Sequence, residues 1–363
     1  MLDSDLVARV GKDVERSILR ARNGVRYAAA MAKPREGATP KDVVWHRGRA
    51  ALWRYRGGAI RYDPPIVIVH SLVSRSYILD LRPGASSVGF LVNRGFDVFM
   101  LDWGVPDSRD AEHGFETYVD EYMPRALAAA RKVTGAEELT LAGYCLGGIV
   151  AALYAAAYED ARIRNLVLLA TPVDFAAMGA MVAAVREGRL DTDDLLDETG
   201  NVPAAALYSG FYMQAPTKEI AGYATLLENL WNDQFVDAYQ AMAQWSRDHV
   251  PMPGAATRQI VDDLIRGNVL MTGKWTLGGR EIDLSRVRAN VLSAVAEKDN
   301  VVPLAAVRPV TELIGAPGKR EEMLLTGGHV TFGAGRHAFK RTLPALSAWI
   351  AAHSDELDPP KER

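Results

Sequence analysis

A cysteine can carry an acyl group only if its thiol is presented on an exposed apex and a base stands close enough to take its proton. Cys145 meets the first condition on sequence alone. It is the only cysteine in the chain and lies in Gly143-Tyr-Cys-Leu-Gly-Gly148, the pattern of a nucleophile elbow, G-x-S-x-G, with cysteine in place of serine. Such an elbow joins a strand to a helix through a tight, strained turn, which is why small residues flank the nucleophile. Glu138-Leu-Thr-Leu-Ala142 reads as a short buried strand before it, and Gly148-Ile-Val-Ala-Ala-Leu-Tyr-Ala-Ala-Ala157 as an Ala-rich helix after it.

A free thiol with pKa ~8.5 is mostly protonated at neutral pH, so the chemistry requires a partner. In strand-turn-helix elbows of this kind an acid and then a histidine follow the nucleophile in chain order, each on a loop after a late strand. Asp299 follows the strand Ala289-Asn-Val-Leu-Ser-Ala-Val-Ala296, and His329 follows Arg320-Glu-Glu-Met-Leu-Leu325 in Thr326-Gly-Gly-His-Val330. Both fall where the carboxyl ends of parallel strands converge. The oxyanion of a tetrahedral intermediate is expected to be held by the backbone N–H of Leu146, with Leu72 or Val73 supplying a second donor from the loop after the first core strand. His70, at the end of that strand, is expected to shape the loop and leave acid–base work to His329. Asp102, in Asp102-Trp-Gly104, reads as a loop-stabilising carboxylate. His46, His113, His249, His337 and His353 read as solvated.

The elements that must position these groups follow from periodicity. Pro64-Pro-Ile-Val-Ile-Val-His70, Gly95-Phe-Asp-Val-Phe-Met-Leu-Asp102 and Asn165-Leu-Val-Leu-Leu-Ala170 are near-continuous apolar runs alternating with helical segments, as parallel strands covered on both faces require. The fold class is α/β: an α/β-hydrolase-like, doubly wound, mostly parallel sheet with an inserted, mainly helical cap. The expected organisation is an N-terminal amphipathic helix and linker over 1–40, the core over 41–175 and 286–355, the cap over 176–285, and a polar tail over 356–363. Leu6, Val10, Val14, Ile18 and Leu19 form an apolar side of the first helix that should dock, and Pro34 to Pro40 should break it. Val43-Val-Trp45 and Ala51-Leu-Trp-Arg-Tyr55 read as an edge hairpin.

A chain of 363 residues with 48% hydrophobic content and net charge −3 can bury a large core. Its balance gives no electrostatic footprint for nucleic acid. No apolar stretch reaches the ~18 residues of a spanning helix, and no secretory leader is visible, so a cytoplasmic location without intramolecular disulfides is expected. The pattern calls for no metal and no bound cofactor.

These residues resemble a known family, the polyhydroxyalkanoate synthases, and within it the class III catalytic subunit. The resemblance rests on the cysteine elbow with its second glycine, on Val69-His-Ser-Leu-Val-Ser-Arg-Ser-Tyr-Ile-Leu-Asp-Leu-Arg-Pro83, Phe99-Met-Leu-Asp-Trp-Gly104, Thr171-Pro-Val-Asp-Phe175 and Gly328-His329. Gly24-Val-Arg-Tyr27 and Thr39-Pro-Lys-Asp-Val-Val-Trp45 extend it towards the N-terminus. It implies that Cys145 takes an (R)-3-hydroxyacyl group from coenzyme A, that His329 deprotonates the thiol, and that Asp299 orients the histidine or activates the 3-hydroxyl of the incoming unit. Coenzyme A is then a released product, and the polyester chain a second substrate. The resemblance also implies a second, non-catalytic subunit, association with a polymer-granule surface, and a homo-oligomer. A thioesterase or esterase using the same three residues is the competing reading. The chain departs from the family at His70 and Ser71, where an apolar or aromatic residue and an alanine are usual, at Ser74, where asparagine is usual, and at Val330-Thr-Phe-Gly333.

Overall fold

The computed structural model describes residues 4–30, 37–189, 191–213, 217–315, 319–335 and 337–362. Two compact units divide the chain, residues 1–36 with 215–248, and residues 37–214 with 249–363.

The larger unit is built on a nine-stranded sheet. Its strands are β1 (Lys41–Arg47), β2 (Ala50–Tyr55), β3 (Ile60–Val69), β4 (Phe96–Asp102), β5 (Leu139–Tyr144), β6 (Ile163–Leu169), β7 (Asn290–Ala296), β8 (Arg320–Leu325) and β9 (Asp355–Lys361). They run β1-β2-β4-β3-β5-β6-β7-β8, with β9 joining the amino-terminal half of β3. From β4 to β8 all neighbours are parallel, while the β1–β2 hairpin is antiparallel and pairs antiparallel with β4. The apolar runs of β3, β4, β5 and β6 account for this: Val67, Phe99, Leu141 and Leu168 are all fully buried, as strands sandwiched between helices must be.

Register then decides where chemistry can sit. Val69 pairs with Gly143, Gly143 with Leu168, and Leu168 with Ser293. The carboxyl ends of β3, β5, β6 and β7 are thereby level, and the loops leaving them converge on one edge. Helix α4 (Leu146–Ala157), following α1 (Ser4–Ala30), α2 (Ser87–Asn93) and α3 (Met123–Thr134), starts from the centre of that edge and is buried along nearly its whole length. An all-apolar Ala-rich helix has no solvent face to offer and is stable only in such a place.

Two expected boundaries differ. The segment 356–363 was read as a polar tail, yet Asp355–Lys361 forms β9, tied to β3 by an Arg61–Glu356 ion pair and to the neighbouring Arg164 by Asp355. A strand on a sheet margin can be polar and carry Pro359 and Pro360 because its outer face needs no burial and its outer edge no donors. The cap boundaries at 176 and 285 also do not enclose a separate body. Residues 176–214 and 249–285 cluster with the core. Among them, Trp275 packs on Phe115 at 5.0 Å between ring centroids, and Asn268 Oδ1 accepts the Phe175 N–H at 2.8 Å. The second half of this segment also contains a hairpin, Lys274–Leu277 with Arg280–Asp283.

The smaller unit joins α1 to the helices Thr217–Asn229 and Asp233–Arg247. Its contacts reverse the expected facing of α1. Arg22 forks onto Asp233 with both contacts at 2.6 Å, and the buried Asn23 donates to Leu230 O and Asp233 Oδ1, both at 2.7 Å. Val14 and Ile18, read as the docking side, are exposed, and Leu19 is half-buried. Polar pairing with the acidic start of Asp233–Arg247 sets the rotation of α1 instead. The side chains of Leu6 and Val10 and the break at Pro34 lie outside the described residues. Among the described residues no helix is long and apolar enough to cross a membrane.

Candidate active site

β5 ends at Tyr144, and the chain turns at Cys145 with φ 54° and ψ −122° before entering α4. A positive φ at a residue with a side chain is strained backbone. It persists because its neighbours fix it: Cys145 N–H donates to Leu169 O at 2.9 Å and Cys145 O accepts from Gly148 N at 2.9 Å. The tightness also explains Gly147. A Cβ there would collide with the backbone carbonyls of Val69 and His70 at the end of β3. The elbow sits flush against its neighbouring strand, and the thiol is brought to the sheet edge almost buried, with Cys145 9% exposed.

The histidine loop after β8 carries His329 to the same place. Its Nδ1 lies 2.8 Å from Asp299 Oδ2, and the Cys145 side chain is near enough to act on the charge of its ring. Asp299, on the loop after β7, is buried, and its other oxygen, Oδ1, accepts the N–H groups of Val301 and Val302, each at 2.8 Å. Burial acts to keep His329 neutral. The hydrogen bonds to Asp299 and Cys145 and the negative charge of both overcome this and push its pKa up to about 10. The arrangement favours a charged imidazole held against the buried Asp299 carboxylate, with the Cys145 side chain beside it.

Comparison with known proteins bears on what this geometry is for. The alpha/beta hydrolase fold model matches residues 64–335. The poly(3-hydroxyalkanoate) polymerase subunit PhaC of Haloferax mediterranei is 31% identical over 332 residues, covering 90% of this chain and 67% of its own length. The subunit of the same name from Allochromatium vinosum is 31% identical over 319 residues, 86% of this chain and 89% of its own. The chain belongs to the poly(3-hydroxyalkanoate) polymerase PhaC family. At the level of fold alone, an esterase from Thermogutta terrifontis superposes with a TM-score of 0.50 at 15% identity, covering 89% of this chain and 100% of that one.

In this PhaC-family chain the three residues singled out as nucleophile, base and acid are thus brought together. Leu146, expected to donate to an oxyanion, is the first residue of α4, where a backbone N–H has no intrahelical acceptor. Leu72 is buried and Val73 half-buried in the loop after β3. That loop is closed by His70 Nε2 and Ser74 Oγ at 3.2 Å, and anchored by Trp103 Nε1 donating to His70 O at 2.8 Å. The buried His70 is pushed down to about 4 by desolvation, against the charge of Asp102, so it is a neutral residue at pH 7. Asp102 accepts from Ser76 Oγ and, at 2.7 Å, from Gly104 N, bonds that brace the same loop.

Sequence reasoning passed over Tyr144, which stands in the elbow pattern with no role assigned to it. Its hydroxyl donates to His329 O at 3.1 Å, and its ring centroid lies 5.1 Å from that of His329 and 5.9 Å from that of His70. The available signal was its place beside the nucleophile on a central strand, where a buried tyrosine needs a partner for its hydroxyl. His249, read as solvated, packs at 5.3 Å from Phe211 and 6.0 Å from Tyr208.

Proposed function

We propose that the chain is a polyhydroxyalkanoate synthase catalytic subunit that transfers (R)-3-hydroxyacyl groups from coenzyme A to a growing polyester through a Cys145 acyl-enzyme. The observation that carries this reading is the His329 imidazole held at 2.8 Å by the buried Asp299 and brought beside Cys145 at the elbow. The Cys145 thiolate attacks the thioester carbonyl, and a tetrahedral oxyanion forms in reach of the Leu146 N–H and the Leu72–Val73 loop. Collapse expels the coenzyme A thiolate, which takes a proton from the His329 imidazolium. Exchange of thioester for thioester is nearly balanced, so the acyl-enzyme stays reactive. A hydroxyl of the partner acyl chain then gives its proton to neutral His329 and attacks the acyl carbon. An ester bond forms and the Cys145 thiolate is released.

Of the two roles open to Asp299, orientation of His329 has the stronger support. Both its oxygens are engaged, one by the imidazole and one by two backbone N–H groups, and a carboxylate held on both sides is poorly placed to take a third proton. We extend the same reading to a cytoplasmic location, a granule surface, a second non-catalytic subunit and a homo-oligomer, with no cofactor beyond the acyl-CoA substrate. The test is incubation with (R)-3-hydroxybutyryl-CoA, with and without a candidate second subunit, followed by analysis of the acyl product. Polyester is the expected product. Free 3-hydroxybutyrate alone under every condition would replace the synthase reading with a thioesterase.

A further inference from the structure

We propose that Tyr144 is a positioning residue for His329, fixing the base relative to the nucleophile through its hydroxyl. This rests on the reading of His329 as the base for Cys145.

The loop that carries His329 enters it through two glycines. Gly327 has φ +131° and Gly328 precedes the histidine directly, so the backbone that aims the ring is intrinsically permissive. Its ties are Gly328 N–H to Thr331 Oγ1, Thr331 N–H to Gly328 O and Lys298 N–H to Gly327 O, all at 2.9 Å, and none of them reaches the strand that carries Cys145. Asp299 restrains the imidazole, but a hydrogen bond at Nδ1 leaves the ring free to swing about that contact and does not hold the main chain. Tyr144 adds a tie from the loop to the strand that carries Cys145. It is the last residue of β5, covalently next to Cys145, 2% exposed, and its hydroxyl donates to His329 O at 3.1 Å. One rigid side chain therefore spans from the nucleophile's own backbone to the base's own carbonyl. The ring also lies 6.2 Å from Phe332, on the far side of the same short helical turn. Because the acceptor is a main-chain oxygen, removal of the hydroxyl leaves the chemical groups of the site untouched and changes only where His329 sits. Burial and the charges of Cys145 and Asp299 raise the tyrosine's pKa well above its ordinary value, so the hydroxyl remains a donor throughout the working range.

Cys145 is the only cysteine, so alkylation by iodoacetamide reads the thiolate directly and needs no substrate. Tyr144→Phe in the full chain is expected to slow alkylation at pH 7 by roughly five- to tenfold and to move its pH profile upward, because a displaced imidazolium supports less thiolate. Coenzyme A release from (R)-3-hydroxybutyryl-CoA should lose a similar factor in kcat with KM unchanged. In a His329→Ala background the same substitution should change alkylation by less than about twofold, since the residue through which it acts is gone. Tyr144→Leu, which also lacks the hydroxyl, takes its place should the phenylalanine variant not fold. A wild-type alkylation rate and profile in Tyr144→Phe overturns the proposal. An equal loss in both backgrounds also overturns it, showing a general packing role. If His329→Ala itself leaves alkylation unchanged, the assignment of His329 as base has failed instead.

Discussion

His329 and Asp299 meet at 2.8 Å although each arrives on a separate loop, one after β8 and one after β7. Adjacent parallel strands in register, Ala296 beside Leu325, leave their loops on the same sheet edge, so the pair is a direct product of strand order. What the pair does depends on a third strand two places away. β5 presents Cys145, and the proposed acid, base and nucleophile come from three elements that share nothing but the level of their carboxyl ends.

The nucleophile's identity is the simplest point to test. Cys145→Ala should lower coenzyme A release from (R)-3-hydroxybutyryl-CoA by at least about 10³-fold. Cys145→Ser should also be severely impaired, because a serine hydroxyl gives up its proton far less readily than a thiol and its ester gives up the acyl group less readily. Release of coenzyme A monitored by thiol reagent separates the two. Substantial activity in Cys145→Ala would move the reaction away from the elbow.

Asp299→Asn discriminates between the two roles open to the acid. An orienting carboxylate stabilises the imidazolium, so its loss should cut the rate of Cys145 alkylation at pH 7 and of the first coenzyme A release together, by roughly 10²–10⁴-fold in kcat. A carboxylate that serves only the attacking hydroxyl would leave alkylation and the first release intact while chain growth stopped. The expected result is loss of both, measured by iodoacetamide kinetics and by single-turnover release. A normal burst followed by no polymer would reverse the assignment.

The loops that carry the candidate site were legible in the sequence because each element obeys a local rule: continuous apolar runs for β3 to β7, a glycine-framed apex for Cys145, two glycines before His329. What was hidden depends on tertiary neighbours. β9 carries Asp355, Glu356 and two prolines, so nothing in its own pattern marks it as a strand, and only the open margin of β3 makes it one. The rotation of α1 was misread because Val14 and Ile18 look like a docking stripe, while its actual contacts are charges matched to Asp233 and Asp237 more than two hundred positions later. The Tyr144 hydroxyl finds its acceptor 185 residues away. Periodicity reports which face of an element is apolar, and is silent on partners that are polar and distant.

Gly147→Ala tests how tightly the elbow is seated. The new methyl group would meet the carbonyl oxygens of Val69 and His70, which are backbone and cannot rotate aside. The strand end or α4 must shift, at a cost of about 1–3 kcal/mol or more. Because the apex shares that backbone, acyl transfer should fall as well. Gly58→Ala, exposed and with open space around its Cβ position, should be near neutral and serves as the control. Equal urea midpoints for the two variants would show that the contact at Gly147 is slack.

His70 should make the fold acid-sensitive in a specific window. Its ordinary value of ~6.5 is lowered to about 4 by burial, with Asp102 opposing. The unfolded chain therefore binds a proton between about pH 6.5 and pH 4 that the folded chain refuses, so stability is retained above the upper value and declines as pH falls towards the lower. The contribution is on the order of 3 kcal/mol over that interval. Nearby carboxylates also titrate on the way down, so the comparison is between wild type and His70→Gln, which keeps a polar side chain beside Ser74 but has no proton to take up. Urea unfolding at pH 7 and pH 4.5 should show wild type losing more stability than the variant over this drop. Identical losses would mean that His70 enters the unfolded state without a change in protonation, and that the buried imidazole is already balanced by its surroundings.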